Sequence, residues 1–163
     1  MFNFFANLFA SFPSSIATFL ISALPVGEHR LGIPIGLTVY HLPAWQAYLS
    51  GLLGSFFPVI FIIFLLKKVA DWLSLRSRPF KRFFDWIFDH TKNRHSKKVE
   101  VLGDLALVFF AAMPVPVIGG AWTAALVAFV FGIEYKRSLP LIFLGLMIGC
   151  GIVLLLTLGI VKL

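Results

Sequence analysis

Charge is scarce in this chain. Of 163 residues, 13 % are charged, about half the share usual in soluble domains. Cysteine is nearly absent: Cys150 stands alone between Gly149 and Gly151, which excludes an intrachain disulfide and suits inert packing. There is no phosphate-binding glycine loop and no nucleophile paired with a base. His90 and His95 have no cysteine or acidic cluster at ligand spacing, so no metal site is expected. These gaps argue against ATP-driven work and covalent enzymology, and no cofactor is expected. No Lys or Arg precedes Arg30, and Ser22-Ala23-Leu24-Pro25 is a poor cleavage site. The N-terminus is therefore expected to lack a signal peptide and to lie outside.

Apolar sequence is what the chain has in abundance: 60 % of residues are hydrophobic and the mean hydropathy is +0.95. An integral membrane protein follows, and the length suits one all-α bundle over 1–163. Ten of the 14 Lys and Arg lie between Lys67 and Lys98. Short basic loops stay in the cytoplasm, so 67–98 is expected there, against anionic lipid rather than nucleic acid.

Two stretches are long enough to cross a bilayer. Ala44 to Leu66 spans about 34 Å as helix, with Trp45 and Tyr48 at its start and Lys67 and Lys68 at its end. Leu139 to Val161 is the second crossing. Ser50, Gly51, Gly54 and Ser55 in the first, and Gly145 and Gly149 in the second, give small residues suited to close helix contact. Pro58 is expected to kink the first. Between the crossings, Phe80, Phe83, Phe84 and Ile87 share one helical face, predicting an amphipathic helix in the inner interface.

Each crossing is preceded by two short apolar pieces around a Pro/Gly break. Phe12 to Leu24, a break at Pro25–Gly36, and Leu31 to His41 form the first set. Leu102 to Met113, a break at Pro114–Gly120, and Ala121 to Gly132 form the second. Pro25, Pro34, Pro114 and Pro116 are the expected structural breaks. Ala23-Leu24-Pro25-Val26 matches Ala112-Met113-Pro114-Val115, and at the same offset Leu37 meets Leu126 and Tyr40 meets Phe129. The expected fold is an inverted repeat of a re-entrant helical hairpin plus a transmembrane helix: repeat one 12–68, basic connector 69–98, repeat two 100–162. Such repeats place a site at mid-depth, where the breaks meet.

The first break holds Glu28, His29 and Arg30. An ionised side chain at mid-bilayer costs about 2.5–3.5 kcal/mol on translocon scales and persists where it lines a cavity or meets a partner. Glu28 is open to two roles, a proton carrier or a structural salt bridge with Arg30. His29 is either a relay to it or simply hydrogen-bonded. Arg30 offers a fork for phosphate or carboxylate. Half-helices starting after Arg30 and after Gly120 would aim free N–H groups at an anion. Gly119 and Gly120 permit close approach, or only turn geometry; Thr123 adds a hydroxyl, and Trp122 is packing or a substrate platform.

Gly27-Glu28-His29-Arg30-Leu31-Gly32-Ile33-Pro34-Ile35-Gly36, with Pro114-Val115-Pro116-Val117-Ile118-Gly119-Gly120-Ala121-Trp122-Thr123, resembles the family called putative small multidrug export proteins. Its motifs read Glu-Leu-Arg-Gly-x-Ile-Pro-Leu-Gly and Pro-Leu-Pro-Gly-Thr-Gly-Ala-Trp-Thr-Gly. Here His29 replaces Leu, Leu31-Gly32 stands for Gly-Ala, Val117-Ile118 for Gly-Thr, and Ala124 for the last Gly. The layout is also similar to the DedA (VTT-domain) superfamily, whose members are implicated in moving lipids, though Val117 to Thr123 here carries none of the arginine found near that group's second hairpin. The resemblance implies a multi-pass protein of a bacterial or archaeal cytoplasmic membrane, expected as a homodimer. Three functions are then open: a secondary transporter or flippase for an amphiphilic anion such as a polyprenyl or phospholipid phosphate, with or without protons; a proton-coupled exporter of hydrophobic cations; or a non-transporting scaffold docking through helix 80–90. The acid–arginine pair favours the first.

Overall fold

In the computed structural model, the structure describes residues 8–9, 11–76, 97–113, 119–131 and 133–161. The expected amphipathic helix 80–90 and the breaks at Pro114 and Pro116 lie outside the described residues. All the regular structure described is helical: α1 Ser14–Ala23, α2 Glu28–Thr38, α3 Ala44–Arg76, α4 Lys97–Ala112, α5 Ala121–Val130 and α6 Tyr135–Val161. The order is short, short, long, twice over.

Two of these helices are long and apolar enough to cross a membrane, Ala44–Leu65 in α3 and Tyr135–Ile160 in α6. Only 33 % of each span is buried within the protein. The core helix of a water-soluble domain would be mostly buried, whereas here Leu53, Phe57, Phe61 and Phe64 of α3 and Leu144, Ile148, Leu155 and Ile160 of α6 point outward. Apolar surface on this scale suits a helix that faces lipid or another protein rather than water.

α3 and α6 pack together at the centre, with Phe56 edge-on to Phe143 at 5.0 Å. The Tyr48 hydroxyl donates to the Met147 carbonyl at 3.0 Å. α1 and α2 lie against α3, and α4 and α5 against α6, while α2 also reaches α6 and α5 reaches α3. Small residues make this closeness possible. A side chain on Gly54 would strike the Phe19 carbonyl of α1 and sit 2.8 Å from Ser22 Cβ. One on Gly145 would come within 2.6 Å of Ala111 Cβ in α4, and Gly149 lies against the Ala111 and Ala112 carbonyls. The small residues expected at helix contacts are at helix contacts.

Several boundaries differ from those expected. Pro34 does not break the chain; it sits inside α2, which begins at Glu28 rather than after Arg30. A proline removes one N–H and crowds the carbonyl four residues earlier, and packing of Ile33 and Ile35 into the cores on either side holds the helix through it. Of the expected breaks in the first repeat, only Pro25 lies in a turn. α3 runs nine residues past Lys67, to Arg76. Lysine ends a membrane span but is a good helix former, so the helix continues into the aqueous side. For the same reason α4 starts at Lys97, and Lys136 and Arg137 lie in the first turn of α6 rather than before it.

Candidate functional site

The two breaks meet. Glu28 is the first residue of α2 and one of two non-glycine residues described with positive φ, at 48°. That left-handed conformation costs about 1–3 kcal/mol. Its carboxylate is directed at α5, accepting from the Ala121 N–H through Oε2 and from the Trp122 N–H through Oε1, each at 3.3 Å. Helix N-termini leave their first N–H groups unpaired, and these attract anions. Gly120, at the N-cap, has no side chain to fill that role. Glu28 fills it from the other hairpin.

Gly120 is required twice. Its φ of 113° is a backbone state that side chains rarely adopt. A Cβ there would also lie 2.7 Å from Glu28 Cδ. Gly119 is buried against Met113 and the Phe110 carbonyl, and the Gly120 N–H donates to that carbonyl at 2.7 Å, closing the second break onto the end of α4.

Arg30 also crosses over. Its Nη2 donates to the Met113 carbonyl at the end of α4. Among the described residues Glu28 and Arg30 do not pair directly; each engages the opposite hairpin. The expected alternative of a Glu28–Arg30 salt bridge gives way to two separate cross-hairpin ties. The second break, uncharged in sequence, thereby receives both an acid and a cation from the first.

His29 is fully buried. Its Nδ1 lies 3.4 Å from Ser55 Oγ in α3 and 3.9 Å from Glu28 Oε2. Ser55 Oγ donates to the Ser22 carbonyl of α1 at 3.2 Å, so α1, α2 and α3 meet in one buried polar knot. Ser55 is the twelfth residue of the 22-residue span Ala44–Leu65, near its middle. On the other side Gly149, fifteenth of the 26 residues Tyr135–Ile160, lies against the end of α4. The breaks therefore stand beside the middle of each apolar span.

Around this contact, donor capacity is left over. Arg30 Nε and Trp122 Nε1 are buried with no hydrogen-bond partner among the described residues, as is His29 Nε2. Thr123 sits half-buried in the first turn of α5. The structure thus brings Glu28, Arg30, Gly120 and Trp122 into contact across the two breaks, with His29 beside Glu28 and Gly119 behind Gly120. The Met113 carbonyl, the partner that sequence reasoning missed, is a backbone group and leaves no residue-type signal; free N–H groups after Gly120 were expected, but not that Glu28 would accept from them. Ser22 and Ser55 are visible in sequence only as small polar residues in apolar helices.

The family model described as "Putative small multi-drug export protein" matches residues 28–152. The chain belongs to this family. The matched segment begins at Glu28 itself, just after the turn at residues 25–27, and takes in the second break, all of α3 and most of α6. Neither the curated proteins nor the solved structures contain a match to this export-family chain.

Proposed function

We propose that the protein is a secondary membrane transporter whose substrate is an amphiphilic anion, such as a polyprenyl or phospholipid phosphate, handled where the two breaks meet. In this reading α3 and α6 are the two crossings. α1 and α5, ten residues each, are about 15 Å long and too short for a hydrocarbon core of ~30 Å. They are halves of re-entrant hairpins whose tips stay at mid-depth, sheltered by protein as non-spanning backbone in a membrane must be. Lys67 and Lys68 at the end of one crossing and Lys136 and Arg137 at the start of the other put both basic ends on the cytoplasmic side. The repeats are then inverted.

The observation that carries the choice of an anion is the surplus of donors. Both Glu28 oxygens are engaged by N–H groups and the Met113 carbonyl is engaged by Arg30. What is left unpaired is Arg30 Nε and Trp122 Nε1, which only donate, and His29 Nε2, whose role follows its tautomer; two of the three are donors only. A buried donor without an acceptor costs about 1–3 kcal/mol, and an oxygen-rich headgroup would relieve that. Glu28, with His29 against it, is where a proton would couple to the cycle.

The test is headgroup transfer in proteoliposomes. With Arg30→Ala, transfer of a fluorescent or spin-labelled lipid phosphate should fall at least tenfold, while the protein still runs as the unaltered protein does in size exclusion. Unchanged transfer would remove the anion reading. The family's description favours a second reading, export of hydrophobic cations. Uptake of a lipophilic cation that requires Glu28 but tolerates Arg30→Ala would select it.

A further inference from the structure

We infer that the Glu28 carboxylate is a tethered competitor: it occupies the place of the substrate's anionic group at the N-terminus of α5, and the substrate must displace it to bind. This rests on the anion reading above and adds how the site is kept closed when empty.

The first ground is the geometry of occupation. The α5 N-terminus is an anion site already holding an anion. One carboxylate oxygen lies on each of two successive amides, Ala121 and Trp122, as two oxygens of a phosphate would. Gly120 gives the helix no cap of its own and leaves the space into which the carboxylate fits. Two anions cannot share that space, and at close range in a poorly polarisable interior they repel strongly. Binding is then exchange rather than addition.

The second ground is that the occupant is held loosely. Charge-assisted N–H···O bonds are usually about 2.7–2.9 Å, whereas both of these are 3.3 Å. Reaching α5 keeps Glu28 at a φ of 48°, a strained state that release would relax. Long bonds and a strained tether suit a group that leaves.

The third ground is that the occupant leaves part of the surroundings unsatisfied. His29 is 0 % exposed, lies 3.9 Å from the Glu28 carboxylate, and has no partner at Nε2. Arg30 Nε and Trp122 Nε1 are likewise unpartnered. A carboxylate brings two oxygens and spends both on the α5 amides. A phosphate monoester brings three terminal oxygens and more charge. The site should therefore prefer phosphate to carboxylate, whether the phosphate is free or carried on a lipid.

The purified full-length protein in detergent tests this. Inorganic phosphate and dioctanoyl phosphatidate are titrated by calorimetry into the unaltered protein, Glu28→Ala and Glu28→Gln, each checked for monodispersity. Removing the competitor should tighten binding at least tenfold in Glu28→Ala, and Glu28→Gln, which loses the repelling charge but keeps the bulk, should show a smaller gain in the same direction; Arg30→Ala added to Glu28→Ala should reverse much of the gain. Gln keeps the size of the side chain, so it reports even where Ala fails to fold. A gain with both probes means the phosphate alone is recognised; a gain confined to phosphatidate means the lipid is part of the ligand; either supports the competitor. If neither variant binds more tightly while lipid transfer still depends on Arg30, the competitor is wrong and the transport reading stands. If no form binds either probe and transfer ignores Arg30, both fall.

Discussion

Replacing Gly120 by alanine adds one methyl group, yet it should be among the most damaging changes available to the chain. Two costs combine. The backbone at φ 113° is a region that costs a side-chain-bearing residue about 1–3 kcal/mol. The new Cβ would also overlap the Glu28 carboxylate, whose Cδ lies 2.7 Å away, and push it off the Ala121 and Trp122 amides. Hydrogen bonds to a charged group contribute about 1.5–3 kcal/mol each; at 3.3 Å these two stand at the low end, but a carboxylate left buried without them adds a desolvation cost. The sum is on the order of 5 kcal/mol, a large fraction of the stability of a domain this size. Gly159 provides the control. It lies in α6, and a methyl group added there would have no neighbour within 4 Å. Glycine inside a helix is about 0.8–1 kcal/mol worse than alanine. Gly159→Ala should therefore be neutral or mildly stabilising. Unfolding of the detergent-solubilised protein, followed by circular dichroism against increasing SDS, measures both. If Gly120→Ala unfolds within about 1 kcal/mol of the unaltered protein, the packing of Glu28 against Gly120 is not as described and the reasoning fails.

Gly54→Ala should destabilise by about 1–3 kcal/mol, because its Cβ meets the Phe19 backbone carbonyl, which cannot step aside; in the same SDS titration Gly51→Ala should also destabilise, since its Cβ would lie 2.5 Å from Cγ1 of Ile33, a stiff β-branched side chain that is fully buried. Arg137 Nη2 and Asp104 Oδ2 pair at 2.6 Å between the start of α6 and the middle of α4, but the Arg137 side chain is 47 % exposed. Asp104→Asn should therefore change stability by no more than about 1 kcal/mol, and less at high salt. Cys150 is fully buried in α6, so a maleimide should label the folded protein only after SDS is added. Rapid labelling of the native chain would show that α6 presents a different face.

The first break and the start of the second inner half-helix were legible from residue type. Pro25 and Gly27 interrupt the chain in a turn, and Gly119-Gly120 precede α5 at Ala121. The close helix contacts were also legible, because only glycine or another small residue permits that approach, and Gly54, Gly145 and Gly149 stand where backbones nearly touch. Pro34 misled because proline's local preference is outweighed when both flanking side chains are buried. Lys67 misled because the residue that ends a membrane span need not end a helix.

Composition and spacing by themselves pointed to a membrane protein, to two helices long and apolar enough to cross a bilayer, and to one acid and one arginine standing together at the first break. Those properties follow from the cost of polar groups in oil and from helix length, which need no knowledge of neighbours. Tertiary structure alone decided what the charges do. Glu28 and Arg30 lie two positions apart, and sequence distance suggests that they serve each other. Folding turns them outward to different groups on the second hairpin, the α5 amides and the Met113 carbonyl. Residue types could mark the free amides after Gly120, but not that Glu28 would be their occupant, nor that one carbonyl among many would be the partner of Arg30.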